Sequence, residues 1–305
     1  MVRSGIAVHG VLNINKPAGI SSYDVIRKLK PVLKPKRLGH AGTLDPMATG
    51  VLLVLVNEAT RISRLLDLPK EYQAEIRFGI ETDTDDITGR VIRTAPVPAL
   101  ETEELRQRLA RFQGELLQVP PQYSALKKNG TPLYKLARQG RAPAPAPRLV
   151  TVYALILEEW NPPVCRVWCR VSAGTYVRAL ARDIGRELGS AATLGALVRT
   201  RIGEFTLENS HSLSAVLNAG PGIGRLLVPE QKALAHLAQL VVTREQAQRL
   251  RNGGKLTLNQ NDTVPSTELC LVLSPEQDFI ALVRVKAGLL IPERIIYAAE
   301  PGEMK

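Results

Sequence analysis

The sequence predicts an α+β fold in which helices flank a central mixed sheet. An unbroken apolar run over 51–56 indicates a central, buried strand. Apolar and polar residues alternate over 72–80 and 164–171, which indicates two half-buried strands. Strands of this kind are separated by helical segments and include hairpin-like neighbours, a combination typical of the α+β class.

The remaining elements follow from local patterns along the chain. We predict a first strand over 10–15 and helices over 21–30, 59–68, 102–112 and 176–188. A second unit begins near 241 with a capping box, Thr243 to Gln246, and continues with short strands over 268–273, 279–285 and 288–291. We therefore expect two domains, 1–238 and 239–305.

The charge of the chain favours a polyanionic partner. The formal net charge is +11 over 305 residues. A basic surface attracts nucleic acid first and acidic membranes second, although a surface that only maintains solubility is the alternative interpretation. Residues 27–37 contain six cations and no acid, and residues 116–157 contain no Asp or Glu. An extended Pro-Ala tract over 142–147 predicts that the second of these segments is an insertion projecting from the body.

Several classes of protein are disfavoured by what the sequence lacks. It contains no Cys-x-x-Cys pair, no His at ligand spacing from a Cys, no Walker loop and no Gly-x-Gly-x-x-Gly motif. The acidic segment 81–86 does not match a calcium loop, because Thr88 and Thr94 stand where that loop needs Gly and Glu. We therefore expect neither a metal nor a cofactor.

The same composition bears on location and assembly. Three cysteines suit a reducing compartment, and residues 1–9 do not have the form of a signal peptide. The longest apolar run is too short to span a bilayer. We expect a soluble cytoplasmic protein without membrane contact. No pattern calls for an obligate protein partner, so a monomer is expected.

Asp45 is the strongest candidate for chemistry. It lies in a turn rich in Gly, Thr and Pro, immediately before the apolar run. The following Pro46 restricts Asp45 to extended backbone, so a stiff loop would hold this carboxylate at the edge of a sheet. The alternative is structural, because an Asp in such a turn often bonds nearby backbone amides. Arg178, at the start of a predicted helix, is either a solvated residue or the cation that keeps Asp45 ionised.

Two further side chains have a structural and a functional interpretation. Tyr72 is on the apolar face of its predicted strand, so it either packs in the core or provides a surface on which a base stacks. His40 is either a surface turn residue or a side chain that stacks on an everted nucleobase.

Motifs that occur in order along residues 10–210 are similar to those of the TruB-type tRNA pseudouridine synthases. The matching segments are 10–22, 39–50, 70–72, 82–85, 121–127, 174–178 and 194–199. The resemblance implies a pseudouridine-synthase fold with a central, largely antiparallel mixed sheet, an inserted thumb loop at about 120–150, and a small, mainly-β PUA-like RNA-binding domain at the C-terminus.

The resemblance also implies roles for individual residues. Asp45 matches the catalytic aspartate and Arg178 the arginine paired with it. The expected substrate-binding residues are His40, Tyr72, Tyr176, Arg178 and Leu197. The expected RNA-binding residues are Lys16 in the opening motif and Lys127, Lys128 and Arg138 in the thumb.

The implied activity is that of an isomerase that converts uridine to pseudouridine at nucleotide 55, in the T-arm of tRNA. Asp45 would act as a nucleophile or by deprotonating the sugar, and the residues do not separate these routes. Two competing hypotheses are a non-catalytic tRNA-binding or tRNA-folding protein and a carboxylate-dependent nucleoside-cleaving enzyme. The second needs another acid opposite Asp45, which only the segment 81–86 would supply.

Overall fold

The computed structural model describes residues 9–128, 130–141, 143–257 and 269–295. The strands are β1 (Gly10–Lys16), β2 (Leu38–Ala41), β3 (Thr49–Val56), β4 (Lys70–Phe78), β5 (Ile80–Thr82), β6 (Val91–Thr94), β7 (Gly114–Gln118), β8 (Lys127–Lys128), β9 (Thr131–Pro132), β10 (Arg148–Asn161), β11 (Val164–Val171), β12 (Ala192–Ile202), β13 (Phe205–Thr206), β14 (His211–Ser212), β15 (Ala238–Val241), β16 (Leu256–Thr257), β17 (Leu269–Leu273), β18 (Phe279–Lys286) and β19 (Leu289–Ile295).

The α-helices are α1 (Ser22–Leu33), α2 (Thr102–Ala110), α3 (Leu133–Ala137), α4 (Val177–Glu187), α5 (Leu213–Asn218), α6 (Glu230–Ala233) and α7 (Arg244–Arg251). Two 3₁₀-helices span Asn57–Leu66 and Gly220–Leu226. Among the residues described, no helix combines the length and the apolar character needed to cross a membrane.

A ten-stranded mixed sheet forms the body of the protein. Its main order is β14-β1-β3-β12-β4-β11-β10-β7, with β2 also paired to β3 and β13 to β12. Pairs β1/β14 and β3/β12 are parallel, and the other pairs of this sheet are antiparallel. The predicted α+β class with a largely antiparallel mixed sheet is therefore confirmed.

Strand β3 is apolar without a break because both of its faces are buried. Leu52, Val54 and Val56 pack in the core formed with α1, α2 and α4. The intervening Val51, Leu53 and Leu55 pack in a second core on the opposite face. A strand covered on both sides needs apolar residues at every position, whereas a half-buried strand needs them only at alternate ones.

Two helix predictions differ from the structure. Helix α1 continues through Pro31 to Leu33 instead of ending at Lys30, because Leu33 still packs against the core and the turn closes only at Lys34. Lys34 adopts φ 43° and its N–H donates to the Lys30 carbonyl at 3.0 Å, which ends the helix. The predicted helix over 59–68 is the 3₁₀-helix Asn57–Leu66.

A second sheet follows the first in the chain, with the order β15-β17-β18-β19-β16. The capping box of α7 is present, since the Thr243 side chain accepts from the Gln246 N–H and the Gln246 side chain accepts from the Thr243 N–H. Leu271 and Leu282 of this sheet share a core with Leu53 of the first. The division into domains at 238 stays a prediction, as does a role for residues 239–305.

The beginning of the described chain is fixed by a backbone and a side-chain contact. Val11 and Val228 exchange two backbone hydrogen bonds of 2.8 Å. Next to them, His9 Nδ1 lies 2.9 Å from Oε1 of the buried Glu230. The hydrogen bond to Glu230 raises the pKa of His9 above its ordinary value.

This pair predicts a dependence of stability on pH. Since the folded-state pKa of His9 is raised, its contribution is complete below the unfolded pKa of about 6.5 and is lost as the pH rises through the folded value. We expect the Tm difference between the unaltered protein and the His9→Gln variant to be about 1–2 °C larger at pH 6 than at pH 8, a small effect because His9 is partly exposed. Equal differences at both pH values in thermal melts would contradict this prediction.

Candidate active site

Asp45 lies in the loop that joins β2 to β3, and the backbone of this loop packs closely on its surroundings. Gly50 adopts φ 100°, and a Cβ at this position would stand 2.2 Å from the carbonyl oxygen of Arg199. Any other residue at position 50 would therefore push β3 away from β12. Val198 and Arg199 pair there with Thr49 and Gly50, which places the start of β3 directly beside β12.

Arg199 holds the carbonyl groups of this loop from inside the protein. The side chain is fully buried. Its Nε donates to the Val51 carbonyl at 2.7 Å, its Nη2 to Gly42 at 2.8 Å and its Nη1 to Thr43 at 3.3 Å. A planar guanidinium suits three acceptors spread around its rim, so Arg199 fixes both ends of the loop.

The segment between β1 and α1 holds the loop from its other side. Ser22 Oγ accepts from the Leu44 N–H at 2.8 Å and donates to the Leu44 carbonyl at 3.1 Å. The Gly19 N–H donates to the Pro46 carbonyl at 2.8 Å. The residues on each side of Asp45 are thus bonded to the opening segment.

Lys16 also belongs to this clamp, which corrects the prediction that it binds RNA directly. The side chain is fully buried, and its Nζ donates to the carbonyls of Pro17 and Ile20 at 2.8 Å and of Pro46 at 3.2 Å. These three acceptors match the three protons of an ammonium group, so Lys16 positions the loop instead of contacting a phosphate. Burial lowers the pKa of Lys16 to about 8.

The predicted contact between Asp45 and Arg178 is present. Arg178 Nη2 donates to Asp45 Oδ1 at 2.9 Å, and Arg178 Nε lies 2.9 Å from Asp45 Oδ2. One carboxylate oxygen thus accepts a hydrogen bond while the other lies in ion-pair contact with Nε, so the guanidinium orients the carboxylate as well as attracting it. The Asp45 side chain is 31% exposed while that of Arg178 is 4% exposed, so the carboxylate faces the open side of the pair.

Arg178 is itself held by other groups. Its Nη1 donates to the Thr84 carbonyl at 2.8 Å and its Nη2 to the Tyr123 carbonyl at 3.0 Å. The carboxylate of Asp86 lies 3.5 Å from Nη1. The guanidinium therefore has a fixed position before any substrate arrives.

Arginines repeat every four residues along the same face of α4, and each meets an acid of the segment 81–86. Arg182 donates to Asp85 at 2.7 Å, and Arg186 pairs with Glu81. Burial raises the pKa of Asp85 to about 6. The sequence analysis did not single out Arg182, Asp85 or Asp86, although the four-residue spacing of the arginines on a predicted helix was a usable signal.

The tyrosines expected to bind substrate lie near the carboxylate. Tyr72 is buried on β4 directly opposite Arg199, and Tyr176 precedes the first turn of α4. Burial raises the pKa of both phenols, and the charge of Asp45 acts on both.

Leu197 and His40 lie on strands that flank the loop. Leu197 is buried on β12, two residues before Arg199, and His40 is half-buried on β2 opposite Val54. Burial lowers the pKa of His40, which favours its neutral form at pH 7. The functional roles of His40, Tyr72, Tyr176 and Leu197 stay predictions.

The cations predicted in the thumb lie on its exposed part. The insertion leaves the sheet at Gln118 and returns at Arg148, which pair with each other. Between them, the exposed Lys127 and Lys128 form β8, and Arg138 follows α3. Their contact with RNA stays a prediction.

Among the residues that the structure describes, the His, Cys, Asp and Glu side chains form no group of three that could hold a metal ion.

Solved structures share this arrangement of strands and helices. The chain matches Cbf5 in a Cbf5-Nop10-Gar1 complex with a TM-score of 0.72 at 24% identity, over 95% of this chain and 86% of that one. It matches an H/ACA ribonucleoprotein bound to a substrate RNA with a TM-score of 0.71 at 22% identity, over 95% and 86%. These matches define a pseudouridine-synthase fold.

Sequence comparison then gives the family. Residues 30–177 match the model of the TruB family pseudouridylate synthase N-terminal domain. A protein named tRNA pseudouridine synthase B from Dehalococcoides mccartyi is 40% identical over 96% of this chain and 98% of its own length. Another of that name from Gloeobacter violaceus is 47% identical over 76% and 80%. The chain belongs to the TruB family of pseudouridine synthases, which are isomerases.

The clamp formed by Arg199 predicts a large effect of a charge-conserving substitution. In the Arg199→Lys variant one ammonium group replaces a fork that serves three carbonyls, so buried acceptors lose their donors. We expect the free energy of unfolding to fall by about 2–3 kcal/mol. Urea denaturation measures this change.

Arg201→Lys is the matched control, since this half-exposed arginine lies two residues away and pairs with Glu71 at 3.5 Å. We expect the control to lose less than about 1 kcal/mol. Equal losses in the two variants would contradict a specific role of Arg199 in the loop.

Proposed function

We propose that this protein isomerises uridine to pseudouridine in tRNA, at nucleotide 55 of the T-arm. The proposal is supported by the name tRNA pseudouridine synthase B that its relatives carry. It is supported above all by one observation, the exposed edge of Asp45 held against the buried Arg178 on a loop clamped from two sides.

The reaction moves ribose C1′ from N1 to C5 of the same uracil. The C1′–N1 bond breaks, the C1′–C5 bond forms, the proton on C5 is released and N1 takes up a proton, so the product is an isomer of the substrate. The target uridine first leaves its stack, which costs a few kcal/mol. Asp45 then attacks C1′ or removes a proton from the sugar, and both routes need an ionised, oriented carboxylate.

The surrounding residues have complementary roles in this mechanism. Arg178 stabilises the charge of Asp45 and fixes its direction. Tyr72, Tyr176 and Leu197 line the space for the rotating uracil and limit the access of water, which would otherwise hydrolyse the glycosidic bond. His40 takes the place of the everted base in the stack.

A nucleoside-cleaving function is less well supported, because each candidate for a second acid is already engaged. Glu81 pairs with Arg186 and Arg93, Asp85 pairs with Arg182, and Asp86 lies beside Arg178. A general acid opposite Asp45 needs a carboxyl group that faces the substrate.

We further propose how the rest of the chain serves this reaction. The exposed cations of the thumb contact phosphates of the T-arm, and residues 239–305 form a PUA-like RNA-binding domain. Asp45 and Arg178 meet within one chain, so the proposed mechanism needs no second copy, and a monomeric enzyme is part of the proposal. Three buried cysteines that form no disulfide suit the reducing conditions of the cytoplasm.

The role of Asp45 predicts that the Asp45→Asn variant binds tRNA but does not modify it. The amide keeps the size of the side chain and removes the charge that the reaction needs. We expect the unaltered protein to place pseudouridine at nucleotide 55 of an unmodified tRNA transcript and to release tritium from 5-tritiated uridine. The variant should be at least about 10³-fold slower.

Asp278→Asn, which alters an exposed carboxylate between β17 and β18, is the control and should remain fully active. If the unaltered protein binds tRNA but forms no pseudouridine in it, the non-catalytic alternative is favoured. Modification at another nucleotide would refute the assignment to position 55.

The thumb predicts a change in the salt dependence of binding. Replacement of Lys127, Lys128 and Arg138 by Gln removes three exposed cations. If each contacts a phosphate, the slope of log K against log salt should become less steep by about 2–3. Filter binding of tRNA between about 50 and 200 mM salt measures the slope.

The matched control replaces three arginines on and next to α2 with Gln, namely the exposed Arg106 and Arg111 and the partly exposed Arg108. It removes the same charge from another part of the surface. Identical slopes in the two triple variants would show that net charge alone, and not contact by the thumb, determines binding.

A further inference from the structure

We propose that Gln118 is a positioning residue that fixes Tyr176 of the nucleobase pocket to the foot of the thumb. The foot is the segment from Val119 to Ser124, where the insertion leaves the sheet. The inference rests on the proposed function, because it assigns Gln118 a part in the same reaction.

Gln118 occupies the last position of β7, opposite the first position of β10. The chain departs into the insertion immediately after it and returns at Arg148. Although β7 is the edge strand of the sheet, Gln118 is only 3% exposed. A buried amide at the point where a projecting segment begins calls for a polar partner.

That partner is the backbone of Tyr176. Gln118 Nε2 donates to the Tyr176 carbonyl at 3.1 Å, and the Tyr176 N–H donates to Gln118 Oε1 at 2.8 Å. The Gln118 side-chain amide thus makes with Tyr176 the two hydrogen bonds that the backbone of a neighbouring β-strand would make. Among side chains of this length only a primary amide supplies both bonds, since Glu is acceptor-only when ionised and Lys only donates.

Two arginines of α4 fix the next part of the foot. Arg182 Nη2 donates to the Val119 carbonyl at 2.9 Å, and Arg178 Nη2 donates to the Tyr123 carbonyl at 3.0 Å. Gln118 to Tyr123 is therefore attached at three points to the residue before α4 and to its first two turns. The foot and the start of α4 form one unit, and thumb movement that leaves the site intact must occur beyond Ser124.

This arrangement makes Tyr176 the residue through which Gln118 acts. The Tyr176 N–H donates to Gln118 Oε1, and the Tyr176 carbonyl accepts from Gln118 Nε2 as well as from the Leu180 N–H of α4 at 3.0 Å, so the direction of this backbone depends in part on Gln118. A displacement of about 1 Å in a group that positions substrate is able to cost 10²-fold in rate. The thumb cations are elsewhere, so affinity for tRNA should change little.

The first experiment uses the Gln118→Met variant of the full chain, which keeps the length of the side chain and removes both bonds. With unmodified tRNA and saturating enzyme, we expect the single-turnover rate to fall about 10- to 100-fold. The Kd for tRNA should stay within about twofold, a split between rate and affinity that general damage to the fold would not produce. Gln113→Met, an identical substitution at an exposed site just before β7, should match the unaltered protein.

The second experiment uses the pH profile of the Gln118→Glu variant. A protonated carboxyl group, like an amide, has one donor and one acceptor, whereas the carboxylate faces the Tyr176 carbonyl with a second acceptor. The ratio of its rate to that of the unaltered protein should rise as the pH falls from 8 to 5.5. Asp85, Arg148, Arg178 and Arg182 are present in both proteins, so their effect on the rate cancels in the ratio.

A double variant identifies the residue through which Gln118 acts. If that residue is Tyr176, Gln118→Met should add little to the loss already caused by Tyr176→Leu. Three results would overturn the assignment while the unaltered protein still makes pseudouridine. These are rate losses that multiply in the double variant, unchanged activity of Gln118→Met, and a rate ratio for Gln118→Glu that does not vary with pH. Absence of pseudouridine with the unaltered protein would instead overturn the proposed function, and this inference with it.

Discussion

The ion pair between Asp45 and Arg178 is the interaction on which the rest of the site depends. A carboxylate with a reactive role has to be correctly aimed, and its direction comes from a guanidinium that other groups hold in place. Arg178 is immobile because carbonyls of Thr84 and Tyr123 and the carboxylate of Asp86 surround it. The cost of burying this cation is offset by acceptors on several sides, and Asp45 completes the set. The ion pair thus contributes to the folded structure independently of any reaction.

The other half of the pair is fixed by the topology of the sheet. Asp45 lies on a loop rather than on a strand, and a loop alone would leave a reactive group too mobile for catalysis. Here β3 lies between β1 and β12, so the loop before β3 is reached by Arg199 from β12 and by Ser22 and Lys16 from the segment that follows β1. Parallel pairing of β3 with β12 brings Gly50 against Arg199, and only a glycine allows that approach. The rigidity of the loop is therefore a consequence of strand order.

Local sequence patterns predicted the elements well because their causes are local. The run over 51–56 and the capping box at Thr243 each depend on neighbours in the chain, and the structure confirms them. The alternation predicted over 72–80 is confirmed as far as Phe78, where β4 ends because Gly79 adopts φ 94° and Ile80 begins β5. The proximity of Asp45 to Arg178 followed from the family resemblance, since no local pattern joins residues 133 positions apart. Arg199 was not identified as a site residue for a related reason. A β-bulge between Arg199 and Arg201 turns the first towards Tyr72 and the second towards Glu71 on the other face, and simple alternation would have placed both arginines on one face.

The difference between local sequence patterns and contacts between distant residues also explains why an edge strand takes part in the site. No role was predicted for Gln118, which lies between the helix predicted over 102–112 and the motif over 121–127. In the fold, the edge of the sheet and the start of α4 meet, so the last side chain of β7 lies against the backbone of Tyr176. The insertion is long and basic, but Gln118 is bonded to Tyr176, and the foot is bonded at Val119 and Tyr123 to the helix that carries Arg178. A thumb anchored in this way keeps its exposed cations apart from the carboxylate, because those cations and the groups that orient Asp45 lie on opposite sides of a fixed joint.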